Sequence, residues 1–323
     1  DLDYLLTFYP TGPDDSRPPL DFQEDIINVW IDRPGRAELR ASGNAYTSLG
    51  KTLEAMTYYA QDEGGASLVP KLKQIVDVLL DSQEPDGYFG NLQRDPADPD
   101  AALFALWNIH DGVYLGMALV HYGELFGEPR AIGAARRYGD YLLSQWDRAP
   151  TRPGALSPIG ITDFFFALHE ATGDRRYLDF IADTPFDGRF IEMENLRNWR
   201  EELHAILDPS AVGDGGNADA FATKVKTKVH VYRYFARLID QLKLYEALEQ
   251  PDSGLYAMSR YTLQKMEDPD GPGIFATGAN TRHEGWVEDQ VGQGTIGEGC
   301  AVTHMAWWLS RMIEADGGLS YGD

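Results

Sequence analysis

The sequence predicts an all-α protein built from helical hairpins, and three features lead to this prediction. Apolar residues recur at three- and four-residue spacing through long segments, as with Leu49, Leu53 and Met56, and this is the period of a buried helix face. Short turns rich in Gly, Pro and Asp separate these segments. No segment shows the alternating Val, Ile and Thr pattern of a half-buried strand.

The elements follow from the same reasoning in chain order. Residues 1–43 are predicted to form an irregular N-terminal arm, because several prolines and glycines break any helix there. Residues 44–323 are predicted to form the helical domain. Its helices are expected over residues 46–62, 68–83, 106–125, 131–146, 162–171, 175–182, 192–207, 221–248, 255–266 and 301–313.

A weak internal repeat supports the hairpin organisation. The segments around Gly127 and Gly173 resemble each other, and they lie about one helical hairpin apart. Such hairpins close into an (α/α) toroid or stack as an open solenoid, and periodicity alone does not choose between the two.

Composition excludes several classes of partner. The chain carries 28 basic and 51 acidic residues, a net charge of −23, which argues against binding nucleic acid or an anionic membrane. It contains no apolar run of the length that spans a bilayer. The aromatic content of 12% suits stacking on sugar rings, although core packing is the commoner reason for it. A single cysteine excludes an internal disulfide.

Residues 277–308 form the segment richest in chemically useful side chains. Glu284 lies beside Trp286, and a carboxyl group shielded by an indole has a raised pKa, as a general acid requires. Glu288 and Asp289 are alternatives for that role, or they bind sugar hydroxyls. The opposing interpretation is a plain acidic surface loop.

A second group of candidates begins the last predicted helix. Glu298 could bind zinc, act as a second carboxylate, or cap the helix. Cys300 and His304 are four residues apart and therefore share a helix face, a spacing that permits a shared metal ion. A buried, chemically inert cysteine is the commoner case.

Candidates for sugar binding are spread along the chain. His110 stands where a loop becomes a helix, so it either binds sugar or simply starts the helix. His230 fits a binding site or the core equally well. Asp86, Tyr88 and Trp107 are expected on loops between helices, where they would line a barrel mouth, although turn formation alone explains Asp86.

Several motifs, in order along the chain, resemble glycoside hydrolase family 127, the β-L-arabinofuranosidase family, and its uncharacterised relatives. These motifs include Gln83-Glu84-Pro85-Asp86-Gly87-Tyr88, Trp107-Asn108-Ile109-His110-Asp111 and Gly297-Glu298-Gly299-Cys300-Ala301, with a helix that contains Lys51-Thr52-Leu53-Glu54-Ala55 and a turn that contains Thr172-Gly173-Asp174. The resemblance implies an (α/α)6 toroid and a retaining glycosidase that acts on a plant or microbial polysaccharide or oligosaccharide.

The resemblance also implies a metal site and an acid/base residue. In that family zinc is held by one Glu and three Cys, one of which is the nucleophile, and an upstream Glu is the general acid/base. Glu298 and Cys300 match the Glu-x-Cys ligands, and Glu284 lies nearest the acid/base position. Zinc is thus the candidate cofactor, with Glu298, Cys300 and His304 as candidate ligands, but without further cysteines we expect weak zinc binding or none.

The absence of further cysteines leaves several functions open. The first is a glycosidase whose catalytic residues include Glu284, Glu298 and Cys300. The second is another sugar enzyme on the same fold, such as a uronic-acid lyase, a dehydratase or an epimerase. The third is a non-catalytic carbohydrate-binding relative. We expect fewer helices than a closed toroid needs, hence a further segment or chain that completes the barrel. A soluble protein, secreted or periplasmic rather than cytoplasmic, is favoured.

Overall fold

The computed structural model shows helices almost throughout the part of the chain that it describes. The N-terminal arm predicted for residues 1–43 and the helix predicted for residues 192–207 lie outside this part. The described residues are 49–89, 97–98, 103, 108–146, 160–183, 231–248, 253–267, 281–282, 285–286 and 299–316.

The α-helices lie close to their predicted positions. A short 3-10 helix, Glu63–Leu68, precedes α2. The helices are α1 (Leu49–Tyr59), α2 (Val69–Ser82), α3 (Asn108–Phe126), α4 (Pro129–Gln145), α5 (Ile161–Thr172), α6 (Arg175–Asp183), α7 (Val231–Ala247), α8 (Ser253–Glu267) and α9 (Gly299–Asp316).

The structure also contains a short antiparallel strand pair that was not predicted, β1 (Thr281–Arg282) and β2 (Gly285–Trp286). Strands of two residues leave the all-α class of the fold unchanged. Two residues per strand are too few to produce a recognisable alternation in the sequence.

The described residues belong to two compact units. Those up to Tyr177 form the first unit, and those from Leu178 onward form the second. In the first unit α3 is central, because it packs against α1, α4 and α5. Its residues are buried on nearly all sides from Asn108 to Gly123.

Glycines end the helices at the two hairpin turns of the first unit. Gly127 follows α3 with φ 66°, and Gly173 follows α5 with φ 68°, both in the left-handed region that favours glycine. The Gly173 amide donates to the His169 carbonyl over 2.7 Å, which closes the C-terminus of α5. The two segments that resemble each other in sequence thus have the same turn conformation.

In the second unit α7 is central and packs against α8 and α9. Trp308 of α9 is wholly buried, and its indole Nε1 donates to Ser259 Oγ of α8 over 3.0 Å. Tyr234 of α7 and Thr262 of α8 share a buried hydrogen bond of 2.7 Å. None of the described helices is long and apolar enough to cross a membrane.

Candidate functional site

The first turn of α3 brings together buried polar side chains. Asn108 is 0% exposed, Asp111 3% and His110 4%. His110 Nδ1 lies 3.6 Å from Asp111 Oδ1, too long for a hydrogen bond but close enough for electrostatic attraction when the imidazole is protonated. Burying three polar residues in one helical turn is costly unless each is partnered, so this turn is a candidate for function.

Tyr88 connects this turn of α3 to the loop that follows α2. The Asn108 Nδ2 group donates to the Tyr88 hydroxyl over 2.9 Å, and both side chains are fully buried. The edge of the Tyr141 ring also contacts Tyr88, with ring centroids 5.8 Å apart. The contact of Tyr88 with sugar stays a prediction, and the structure places its ring in the interior.

The loop that carries Tyr88 is anchored on α4. Gln83 Nε2 donates to the Ala134 carbonyl over 2.8 Å and to the Gly87 carbonyl over 2.9 Å. Arg137 Nη2 donates to Gln83 Oε1. Gly87 has φ 96°, and a Cβ atom there would lie 2.4 Å from the Arg137 carbonyl oxygen. Only glycine fits this position, which explains the Asp-Gly pair in the turn.

Asp86 lies on the outer side of the same turn. It is exposed, and its Oδ1 accepts a hydrogen bond from the Tyr88 backbone amide over 3.1 Å. This is the local bond by which Asp stabilises turns. A role for Asp86 in sugar binding stays a prediction.

On the other side of His110, α1 packs closely against α3. The rings of His110 and Tyr114 have centroids 4.8 Å apart, and the Lys51 ammonium of α1 lies 4.4 Å from the Tyr114 ring centroid. Gly50 permits this approach, since a Cβ atom there would lie 2.3 Å from the Leu115 backbone nitrogen.

Tyr138 of α4 forms the core contact with α3 beside this turn. It is 0% exposed, and its hydroxyl sits over Gly112, where a Cβ atom would lie 2.1 Å away. Within the described part of the chain this hydroxyl has no hydrogen-bond partner. Burial raises the pKa of Tyr138 well above its ordinary value, so the hydroxyl stays protonated.

In the second unit the first two turns of α9 hold the other described candidates. The Cys300 carbonyl accepts a hydrogen bond from His304 Nδ1 over 2.9 Å and another from Thr303 Oγ1 over 3.0 Å. The His304 ring contacts Tyr232 edge-on, with centroids 4.3 Å apart, and contacts Trp307 at 5.7 Å. Because a carbonyl only accepts, Nδ1 carries the proton, and a metal ion would have to bind Nε2.

The remaining candidates are only partly covered by the structure. Trp286 lies in β2, whose backbone alone is described. The two strands bracket Glu284 in the sequence. Six candidates lie outside the described residues: Trp107, His230, Glu284, Glu288, Asp289 and Glu298.

The donor set for the implied zinc does not fit this chain. Three thiolates are required, and Cys300 is the single cysteine of the sequence. Among the described residues no group of three or more His, Cys, Asp or Glu side chains lies in position to hold a metal ion. Of the three candidate zinc ligands, Cys300 and His304 lie among the described residues, and both have donor chemistry for zinc.

Sequence reasoning singled out His110 but missed Asn108 and Asp111. Both belong to the motif that contains His110, so the signal was present. The partner of Asn108 could not be predicted from the sequence, because Tyr88 lies 20 residues earlier in the chain. Only the packing of the loop on α4 brings them together.

Comparison with known proteins gives a family match and a structural match. The family profile described as β-L-arabinofuranosidase, GH127 catalytic domain, matches residues 28–323. The crystal structure of a GH127 β-L-arabinofuranosidase from Geobacillus stearothermophilus T6 is similar to this chain, with a TM-score of 0.60 and 17% sequence identity. No curated protein sequence matches.

The structural match covers 94% of this chain and 48% of the other, so this chain spans about half the length of the protein that it resembles. At this identity the likeness concerns the fold alone. It confirms, with the helices described above, the prediction of an all-α fold of the helical-toroid type.

Proposed function

We propose a carbohydrate-cleaving function from the premise that the chain belongs to the GH127 β-L-arabinofuranosidase family, whose catalytic-domain profile matches residues 28–323. The proposed activity is hydrolysis of a glycosidic bond in a plant or microbial oligosaccharide or polysaccharide. The family match carries this proposal, and the buried polar turn of α3 supports it.

Glu284 is the proposed general acid/base. A glycosidic oxygen leaves slowly as an alkoxide, so it must receive a proton while the bond to the anomeric carbon breaks. The neutral carboxyl group of Glu284 gives that proton, and its carboxylate then takes a proton from the attacking water. The paired strands β1 and β2 lie on either side of Glu284 in the sequence.

Glu298 is proposed as the second carboxylate. In the retaining mechanism that carboxylate attacks the anomeric carbon as the leaving group departs, and the water molecule activated by Glu284 then displaces it. Cys300, the second residue of α9, follows it closely in the sequence. No step is assigned to zinc, because the thiolates that would hold it are not in this chain.

His110 is the proposed sugar contact in the first unit. A buried imidazole beside a carboxylate suits a fixed hydrogen bond to a ring hydroxyl. Trp107, His230, Trp286, Glu288 and Asp289 are proposed as further contacts. Aromatic faces stack on sugar rings and carboxylates bind hydroxyl groups, which is why these residue types are chosen.

The test is a panel of aryl glycosides that includes the β-L-arabinofuranoside, assayed with the purified chain. Turnover on a member of the panel is expected. An absorbance rise from an unsaturated uronate on uronic-acid substrates would instead support a lyase. Saturable binding of sugars with no turnover of any substrate would support a carbohydrate-binding relative and contradict the proposal.

A further inference from the structure

We propose that Tyr88 is a positioning residue for His110 and makes no contact with the sugar itself. Its hydroxyl holds Asn108, and Asn108 holds the turn of α3 that carries His110. This inference rests on the proposed function, since it takes His110 to be the residue that meets the substrate.

Burial is the first step of the argument. Tyr88 and Asn108 are both 0% exposed, and the 2.9 Å bond between them is shielded from water on all sides. A ring with no exposed face cannot stack on a sugar unless the core opens. A shielded hydrogen bond resists exchange with water, so it holds its two groups in one geometry.

The second step is that the bond has a rigid anchor. The Tyr88 loop is tied to α4 through Gln83, which donates to the Ala134 carbonyl and accepts from Arg137. The close approach of Gly87 to the Arg137 carbonyl adds a steric constraint. The contacts of the loop with α4 thus fix Tyr88, and the hydrogen bond from Asn108 to Tyr88 fixes Asn108, which lies two residues before His110.

The third step is that Asn108 lies in the first turn of α3, where a helix is least constrained. The first four amides of a helix have no partner within it, so helix ends fray unless a side chain or a tertiary contact holds them. The Asn108–Tyr88 bond supplies such a contact. Loss of the Tyr88 hydroxyl should therefore change the environment of the His110 ring.

Tyr138 provides the matched control. It is another fully buried tyrosine beside α3, but its hydroxyl has no hydrogen-bond partner among the described residues. Tyr138→Phe removes the same atom as Tyr88→Phe without removing a hydrogen bond that fixes α3.

The first experiment needs no enzymatic activity. NMR spectra that follow the histidine ring protons across pH are recorded for the full chain, with the His110 signal assigned by its loss in His110→Gln. Tyr88→Phe and Asn108→Ala should both shift the His110 signal and its titration midpoint, and Tyr138→Phe should shift neither. An unmoved His110 signal in both Tyr88→Phe and Asn108→Ala would overturn the inference.

The second experiment is kinetic, on the aryl glycoside that is turned over best. Tyr88→Phe should lower kcat/KM by about tenfold, the value of one buried hydrogen bond, and Asn108→Ala should lower it by at least as much because it removes the whole amide group. The double variant should lose less than the product of the two single losses, because both single variants remove the bond that the two residues share. Losses that multiply in the double variant, or a rise in KM for Tyr88→Phe alone, would contradict positioning and favour direct sugar contact.

The two experiments separate this inference from the proposed function. A shifted His110 signal in a chain with no glycosidase turnover would support positioning and contradict the glycosidase. Turnover with an unshifted His110 signal would do the reverse.

Discussion

His304 donates from Nδ1 to the carbonyl of Cys300, one helical turn earlier in α9, over 2.9 Å. The imidazole is therefore held by the backbone of the residue with which it would share a metal ion. This bond fixes the tautomer and leaves Nε2 as the nitrogen with a lone pair for metal.

The first prediction concerns zinc. The purified chain should contain well below one zinc ion per molecule by elemental analysis after dialysis, because one cysteine cannot supply the implied three thiolates. Cys300→Ser and His304→Gln should contain as little zinc as the unaltered chain. Tightly held, stoichiometric zinc that is lost in His304→Gln would show that the prediction is wrong and make His304 a ligand.

The second prediction concerns the contact of α1 with α3. Gly50→Ala should lower the free energy of unfolding by about 3 kcal/mol, since the new methyl group would overlap the backbone of Tyr114 and Leu115 and push the helices apart. Denaturant unfolding followed by circular dichroism measures this.

Gly133→Ala is the control for that measurement. Gly133 lies inside α4, and the nearest atom to an added Cβ there is 3.9 Å away. Replacing a helical glycine without a clash should raise the free energy of unfolding by about 0.5–1 kcal/mol. If both variants were equally stable, the close packing at Gly50 would be refuted.

These contacts show what could and could not be predicted from the sequence. The helices follow from local periodicity, and the turn at Gly173 follows from local backbone preference, so both could be predicted from the sequence. The 3-10 helix Glu63–Leu68 was missed because its glycines indicate only a break in the helix. The Tyr88–Asn108 bond and the overlap at Gly50 join distant parts of the chain, and no local rule encodes them.

Some residues of the candidate site could likewise be predicted from the sequence and others could not. His110 could be chosen from its residue type and its place before a helix. Its partner Asp111 and its neighbour Tyr114 depend on which face of α3 is buried, and α3 is buried nearly all round. A helix of that kind has no clear polar face in the sequence, so the periodicity does not mark the polar turn.

The third prediction concerns acid stability. Arg176 Nη2 lies 2.7 Å from Asp174 Oδ2 and 2.9 Å from Asp140 Oδ1. The hydrogen bond from Arg176 holds the pKa of Asp174 below its usual value. A depressed folded-state pKa stabilises the protein above the unfolded pKa of about 4, and this stability is lost as pH falls through the folded pKa.

Arg176→Gln should therefore be slightly less stable than the unaltered chain at pH 6, by less than about 1 kcal/mol because the Arg176 side chain is exposed to solvent. The difference should shrink as pH falls below about 4. Urea unfolding at both pH values measures it. The difference at pH 6 should also fall in 1 M salt, and a difference that grows on acidification would contradict the assignment.

The last prediction concerns Glu284. Glu284→Gln keeps the shape of the side chain but removes the proton that the leaving group needs. Turnover on a substrate with a poor leaving group should fall by about 10²–10⁴, the usual contribution of general acid–base catalysis. Substrate binding should be nearly retained. Turnover of an aryl glycoside with an activated leaving group should fall less, because such a group departs without protonation.

The matched variants are Glu288→Gln and Glu298→Gln, which change the same group elsewhere in residues 277–308. If Glu298→Gln loses turnover on activated and natural substrates alike, the result would support Glu298 as the second carboxylate. Near-normal turnover of a natural glycoside by Glu284→Gln, with loss in Glu288→Gln, would move the acid/base role to Glu288.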